Sequence, residues 1–203
     1  DVFPCEDGHA QERSLLEQVL PRVDPRDIWI QDRNFCVRSF LLGIDDRGGY
    51  FVCREHRGLA REGLGSQRYI GESDSGKVYE QWIEIVDDEG KTRKYRRIRV
   101  SLKIATRDGE TELFILTNLP KSAADALLIA EMYRKRWRIE TMFQELEAHL
   151  HSEVNTLGYP KAALFGFCVA LVAYNVLAVV KASLRTLHGE ETIANELSGY
   201  YLA

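Results

Sequence analysis

YRKRWRIETMFQELE, residues 133–147, is the stretch on which the reading of this chain turns. Just upstream, AADALLIAEM (123–132) holds good helix formers and neither Gly nor Pro. The pattern predicts one helix, capped by Ser122 and running to about His151. On a helix turning about 100° per residue, Tyr133, Arg136, Glu140 and Glu147 share one narrow stripe, with Trp137 beside it. A carboxylate set among an arginine, a tyrosine and an indole is costly to bury, and such a face suits a polyanion or a metal ion. The plainer alternative is a solvated basic face, with Arg136 and Glu140 an i,i+4 pair worth a few tenths of a kcal/mol.

Composition narrows the field. With 203 residues, 45% hydrophobic and 29% charged, the chain has enough apolar material for a real core. Four cysteines (5, 36, 53, 168) form no CxxC pair, which points to reduced structural thiols in a cytosol-like compartment. The five histidines include no HExxH, and His149-x-His151 alone is a weak metal signal. A net charge of −4 argues against a generally adhesive nucleic-acid coat, so any DNA contact must come from local basic patches. The opening DVFPCEDG has no apolar signal region and no Met, and it reads as a piece of a longer protein.

Along the chain, residues 1–4 read as the end of a strand and EDGHAQERSLLEQVL (6–20) as an amphipathic helix. Its Leu15, Leu16, Val19 and Leu20 face inward, and Pro21 ends it. IWIQD (28–32) reads as a buried strand finishing on Asp32, and a strand's C-terminal end is where α/β sheets place their chemistry. An ordinary turn aspartate is the alternative. Residues 37–46 form a helix with Phe40, Leu41 and Ile44 inward, broken by Gly48 and Gly49. From Tyr50 the texture becomes alternating and β-branched, which predicts about five antiparallel strands up to residue 119 with a Gly-rich loop, GLAREGLGS (58–66). Pattern alone suggests a separate small β-domain.

Within that region Lys91, Arg93, Lys94, Arg96, Arg97, Arg99 and Lys103 follow one another with no acid among them. Alternation places Ile98, Val100, Leu102 and Ile104 on one face and Arg97, Arg99 and Lys103 on the other. That outer face is either a solvated strand face or a stripe tracking phosphates. Finally, ALFGFCVALVAYNVLAVV (163–180) has Asn175 as its one overtly polar residue. Its length just allows a membrane span, but a single such segment in an otherwise soluble composition reads instead as the buried central helix of an α/β domain.

The order Tyr133-x-x-Arg136-x-x-x-Glu140 resembles the Tyr-(2)-Arg-(3)-Glu-(6)-Lys signature of the DDE transposases of the insertion-sequence-four group, which includes the Tn-five-like enzymes. The position of the final lysine holds Glu147, a charge reversal. Asp32-Arg33-Asn34-Phe35 is similar to that family's Asp-Arg-x-Phe/Tyr block, which carries its second catalytic aspartate. The resemblance implies a ribonuclease-H-like α/β fold, a mixed sheet with flanking helices interrupted by a β-rich antiparallel insertion. On that reading residues 1–48 are the first part of the core, 49–119 the insertion and 120–203 the helical last part, with the first strands missing. It implies metal-dependent phosphodiester cleavage and strand transfer at insertion-sequence ends, with Asp32 and Glu140 as catalytic carboxylates holding Mg²⁺ (or Mn²⁺). Tyr133, Arg136, Trp137 and Arg33, with Arg97, Arg99 and Lys103 on the β-strands, are its expected DNA contacts.

The resemblance further implies DNA, both transposon ends and target, as partner, a homodimer on DNA, no membrane, and a bacterial-type cytosol or nucleoid. The family's first aspartate is expected upstream of this chain, which alone is then expected to be inactive. Two alternatives stay open: a catalytically dead DNA-binding remnant of a transposase, and a scaffold or membrane-attached domain unrelated to DNA.

Overall fold

A computed structural model describes residues 12–150 and 159–196. The strand end expected at 1–4 and the first half of the helix expected at 6–20 lie outside the described residues, as does His151. The chain divides into two compact units, the first ending at Arg136 and the second carrying the helices from Trp137 onward.

The first unit is built on a six-stranded mixed sheet. Its strands are β1 (Ile28–Gln31), β2 (Tyr50–Arg54), β3 (Glu62–Ser73), β4 (Gly76–Val86), β5 (Thr92–Leu102) and β6 (Glu112–Thr117), arranged β1-β2-β6-β5-β4-β3. β1 and β2 are parallel, with Ile30 opposite Val52 and Gln31 opposite Cys53, and every other pairing is antiparallel. The region expected to be a β-domain therefore continues the sheet that begins with β1. A short helical segment, with α1 (Leu16–Val19) between two 3₁₀ turns, precedes β1 and buries Leu16.

α2 (Arg38–Asp46) supplies the crossover between the parallel strands. Its Phe40, Leu41 and Ile44 pack with Phe51, Ile83, Ile85, Tyr95 and Leu116, as the periodicity predicted. Gly48, at φ 72°, takes the left-handed conformation that ends the helix. On the opposite face, α3 (Ala126–Arg134) lays Ala126, Ile129, Ala130 and Tyr133 against Val52, Val78, Ile98, Val100 and Ile115. The sheet is thus covered by one helix on each face.

Four expectations for the first unit and the helix that follows it are corrected. β1 is an edge strand, paired only with β2 among the described strands, and Ile28 and Ile30 are exposed where full burial was expected. Part of the Gly-rich segment is strand: β3 starts at Glu62, and Gly65, at φ 69°, lies where the register with β4 shifts. Ile104 is exposed, because the chain leaves β5 at Leu102 before the alternation reaches it.

The fourth correction concerns residues 122–151, expected as one helix. α3 begins after Asp125, whose carboxylate accepts from the Leu128 amide at 2.8 Å, so Asp125 and not Ser122 is the cap. The helix stops at Arg134, a turn takes Lys135 and Arg136, and α4 (Trp137–Leu150) follows. Arg134, Lys135, Arg136 and Arg138 put four cations into five residues, and like charges at i,i+4 disfavour helix. Glu131 answers Arg134 and Lys135 but lies behind the turn.

In the second unit α5 (Pro160–His188) packs on α4, with Phe143 stacked on Phe167 at 6.5 Å, and on α6 (Glu190–Glu196). The burial expected over 163–180 is not found. Val169, Val172, Val176 and Val179 are each more than half exposed, because α4 and α6 cover only part of a helix that is apolar on all sides. α5 is long and apolar enough to cross a membrane by length and composition.

The sheet unit encloses a charge. Arg96, 1% exposed, donates to Glu80 at 2.8 Å, to the Leu119 carbonyl at 2.9 Å and to the Ala124 carbonyl at 2.7 Å. Lys121 adds a second cation to Glu80 at 2.9 Å. Burial pushes the Glu80 carboxyl up, but Lys121 and Arg96 outweigh it and hold the group below its ordinary value. Removing one member of such a pair leaves an uncompensated buried charge. Arg96→Ala is therefore expected to lower unfolding stability by about 3–5 kcal/mol in urea denaturation, while Lys94→Ala, near the exposed start of the same strand, shifts it by less than about 0.5 kcal/mol.

Candidate active site

Asp32 follows the last residue of β1 and opens a 3₁₀ turn over Arg33–Phe35. The Phe35 amide donates to the Asp32 carbonyl at 3.0 Å, so the turn closes on the backbone and leaves the carboxylate to other partners. One such partner comes from 101 residues away. The Tyr133 hydroxyl, near the end of α3, donates to Asp32 Oδ1 at 3.3 Å. α3 brings it there because Ala126, Ile129, Ala130 and Tyr133 fall on its sheet-facing side. The guanidinium of Arg136 lies 5.7 Å from the centre of the Tyr133 ring, held near it by the Arg136 amide bonding to the Tyr133 carbonyl at 3.0 Å.

Two of the signature residues thus meet Asp32 or one another within the first unit. Glu140 stands in the first turn of α4, in the second unit. The single helical stripe expected to join 133, 136, 140 and 147 is interrupted by the turn at Lys135 and Arg136. Trp137 opens α4, and its side chain lies outside what is described. Among the described residues no three His, Cys, Asp or Glu side chains form a group able to hold a metal ion, and Asp32 supplies one hard oxygen donor.

The β5 residues stand differently from the expectation. Arg97 is 8% exposed, donates to Glu55 at 2.6 Å and lies 3.8 Å over the Phe114 ring. Arg99 pairs with Glu112 at 2.7 Å and covers Tyr79 at 4.0 Å, and Lys103 pairs with Glu72 at 3.0 Å. Arg93 and Lys94 likewise meet Asp46 and Glu84. The basic run is therefore largely neutralised in place, and Arg97 is buried and engaged, not open to a phosphate. Each acid comes from another element, which reading along β5 alone does not reveal.

Sequence reading also passed over a cleft of about 500 Å³ beside Asp32, lined by Arg33, Arg54, Arg61, Arg97, Glu110 and Phe114 among others. Glu110 takes Arg33 at 3.0 Å on one oxygen and Arg54 on the other. Arg54 ends a strand parallel to the Asp32 strand, and that placement is the signal that marks it. Behind Asp32, the Cys53 thiol lies 3.6 Å from the Asp32 carbonyl. The Cys36 and Cys53 thiols are free, and a hydrogen bond between them holds Cys36 below its ordinary pKa and, with burial, pushes Cys53 well above.

Burial pushes the Tyr133 phenol up, the charge of Asp32 pushes the same way, and Arg136 and Arg54 only partly offset it, so the group ionises at about 12. Its folded pKa lies above the ordinary value of about 10, so its contribution is fully present below about pH 10 and is lost as pH rises through about 12. That window corresponds to roughly 2–3 kcal/mol. Tyr133→Phe is expected to flatten the alkaline fall in stability across it, measured by urea denaturation at stepped pH. An unchanged profile would contradict the burial of the phenol beside Asp32.

Comparison with known proteins points to one family. The putative transposase y4zB of Sinorhizobium fredii is 25% identical over 152 residues, which cover 74% of this chain and 42% of that protein. The putative transposase InsL for insertion sequence element IS186A of Escherichia coli K12 is 26% identical over 221 residues, covering 90% and 58%. The transposase for insertion sequence element IS421 of Escherichia coli is 26% identical over 221 residues, covering 90% and 57%. The chain spans about half the length of these curated relatives. With Asp32 ending a strand of a mixed sheet, Tyr133 bonded to it, and residues 3–176 matching the family described as Transposase DDE domain, the chain belongs to the DDE transposases.

Proposed function

We propose that this chain is the catalytic region of a DNA transposase of the insertion-sequence-four group, cutting phosphodiester bonds at the ends of a mobile element and joining them to target DNA. The observation that carries this reading is the Tyr133 hydroxyl on the Asp32 carboxylate at 3.3 Å, which joins the two motifs across the β-rich region between them. Residues 49–119 then form the insertion between two parts of a ribonuclease-H-like core, 1–48 and 120–203. Insertion sequences are what the IS186A and IS421 relatives are named for, and element ends are accordingly the proposed substrate.

Asp32 offers the hard carboxylate oxygen that Mg²⁺ or Mn²⁺ prefers, and Mg²⁺ keeps several waters when protein carboxylates are few. Glu140 is the second carboxylate of the proposal. The bound metal supplies Lewis-acid polarisation of the phosphoryl oxygen and an activated nucleophile. Tyr133 donates to one oxygen of Asp32 and so fixes the orientation of the carboxylate that would hold the metal. Arg136 and Arg33 offer guanidinium forks to backbone phosphates, and Trp137 a stacking surface. The partner is DNA, engaged by a homodimer in the bacterial cytosol.

Glu147, at the signature's lysine position, favours a second reading, a family member that binds DNA without cutting it. Activity separates the two. In the protein as the cell makes it, Asp32→Asn and Glu140→Gln are each expected to reduce Mg²⁺-dependent cleavage of element ends by about 10³-fold or more, with duplex binding largely intact. Tyr133→Phe should reduce it about 10- to 100-fold, as loss of a ligand-orienting partner does. Cleavage that survives both carboxylate changes would refute this assignment, and wild-type protein that binds but never cuts would favour the second reading.

A further inference from the structure

Glu110 differs from Glu55, the other carboxylate of the cleft that holds two arginines. Glu55 holds Arg97 and Arg61 while only 6% exposed, as a buried structural counter-ion does. Glu110 is 20% exposed and sits near the tip of the β5–β6 hairpin, on a turn closed by its own bonds. The Thr106 amide donates to the Glu110 carbonyl at 2.9 Å, the Glu110 amide to Thr106 Oγ1 at 3.1 Å, and the Gly109 amide to the Thr106 carbonyl at 2.8 Å. From that turn a single carboxylate reaches two guanidiniums, one per oxygen.

Those guanidiniums stand at the proposed active site. Arg33 follows Asp32 directly, and Arg54 is the last residue of β2, the parallel neighbour of the strand that Asp32 follows. Two arginine forks around one carboxylate leave an excess positive charge. A phosphodiester, like a carboxylate, presents two oxygens that share one negative charge, so it matches the same pair of donors.

We propose that Arg33 and Arg54 form a phosphate-binding site for the DNA strand, and that Glu110 occupies it as a carboxylate stand-in which DNA displaces. The proposal rests on the reading of the Asp32 site as one that handles DNA. Displacement exchanges one anion for another at the same forks and frees Glu110, with its hairpin tip, from the Asp32 edge of the sheet. Glu110 thereby raises the threshold for binding and favours DNA over weaker anions.

The test is binding of a labelled duplex oligonucleotide to the 203-residue chain as a function of salt. Glu110→Gln is expected to tighten binding about five- to tenfold at low salt and to steepen the salt slope by about one phosphate-equivalent. Glu84→Gln, which removes the same charge from the pair with Lys94 outside the cleft, should change little. In an Arg33→Ala, Arg54→Ala background the Glu110→Gln gain should vanish. Glu110→Asp keeps the charge but shortens its reach, and it should tighten binding by a smaller factor.

Melting curves accompany each variant, so that a misfolded protein is not scored as a weak binder. Glu110→Gln binding no tighter than Glu84→Gln, while the double arginine variant still binds worse than wild type, would overturn the stand-in and leave the DNA reading in place. Duplex binding by wild type that the double arginine variant retains in full would overturn the site itself. Inorganic phosphate that stabilises Glu110→Gln with no gain in duplex affinity would assign the forks to free phosphate and overturn the DNA ligand. Wild type that binds no duplex at low salt would instead count against the proposed function as well.

Discussion

The sheet unit depends on one buried cation. Arg96 projects from the middle of β5 and grips the carbonyls of Leu119 and Ala124, so the loop between β6 and α3 is fixed at two points. A charge in such a place is expensive, and Glu80 with Lys121 behind it completes the pairing. An apolar residue of similar volume would cover the sheet at least as well, but it would leave the loop carbonyls without their donor. The gain from Arg96 is therefore in direction. It sets where α3 starts, and where α3 starts decides whether Tyr133, two turns later, reaches Asp32.

The same economy of charge governs the other cations of β5. A strand carrying Arg93, Lys94, Arg97 and Arg99 would repel itself if left bare, and acids from α2, β4, β6 and the segment after β2 answer each cation. The stack of Arg97 on Phe114 and of Arg99 on Tyr79 adds cation–π attraction to those pairs. With a net charge of −4 and the cations of this strand neutralised, long-range attraction to a polyanion is weak. On the proposed function, affinity for DNA then has to arise at a few guanidiniums near Asp32, where the fold groups Arg33, Arg54 and Arg136.

What could be read from the sequence follows the range of the forces involved. The Asp32 strand end, the inward face of α2 and the five strands after Tyr50 are local patterns, and each is found, although β3 starts earlier and β5 ends earlier than the pattern put them. The exposure of β1 and of α5 was not legible, because apolar content says that a segment seeks cover and not whether cover is present. The pairing of the β5 cations was hidden for a related reason: apart from Asp87, which meets Arg93 across the turn, their acids lie from about 10 to nearly 50 positions away, brought close by register. Glu110 was missed because a lone acid in a DGE turn is indistinguishable from a solvated one until Arg33 and Arg54 are seen to converge on it.

The break at Lys135 and Arg136 shows which part of the signature a straight helix was needed for. Tyr133 and Arg136 are three apart, and the turn keeps an amide-to-carbonyl bond of that same span, from Arg136 to Tyr133. A tight turn and a helix both return the chain after about three residues, so the arginine stays over the tyrosine ring whether or not the helix continues. The spacing of seven to Glu140 has no such protection, since it crosses the turn. Tyr133 and Arg136 thus form a local device that the sheet unit positions by itself through Arg96. The carboxylate of α4 is set by the second unit, and the Tyr-Arg and Arg-Glu halves of one sequence signature answer to different physical constraints.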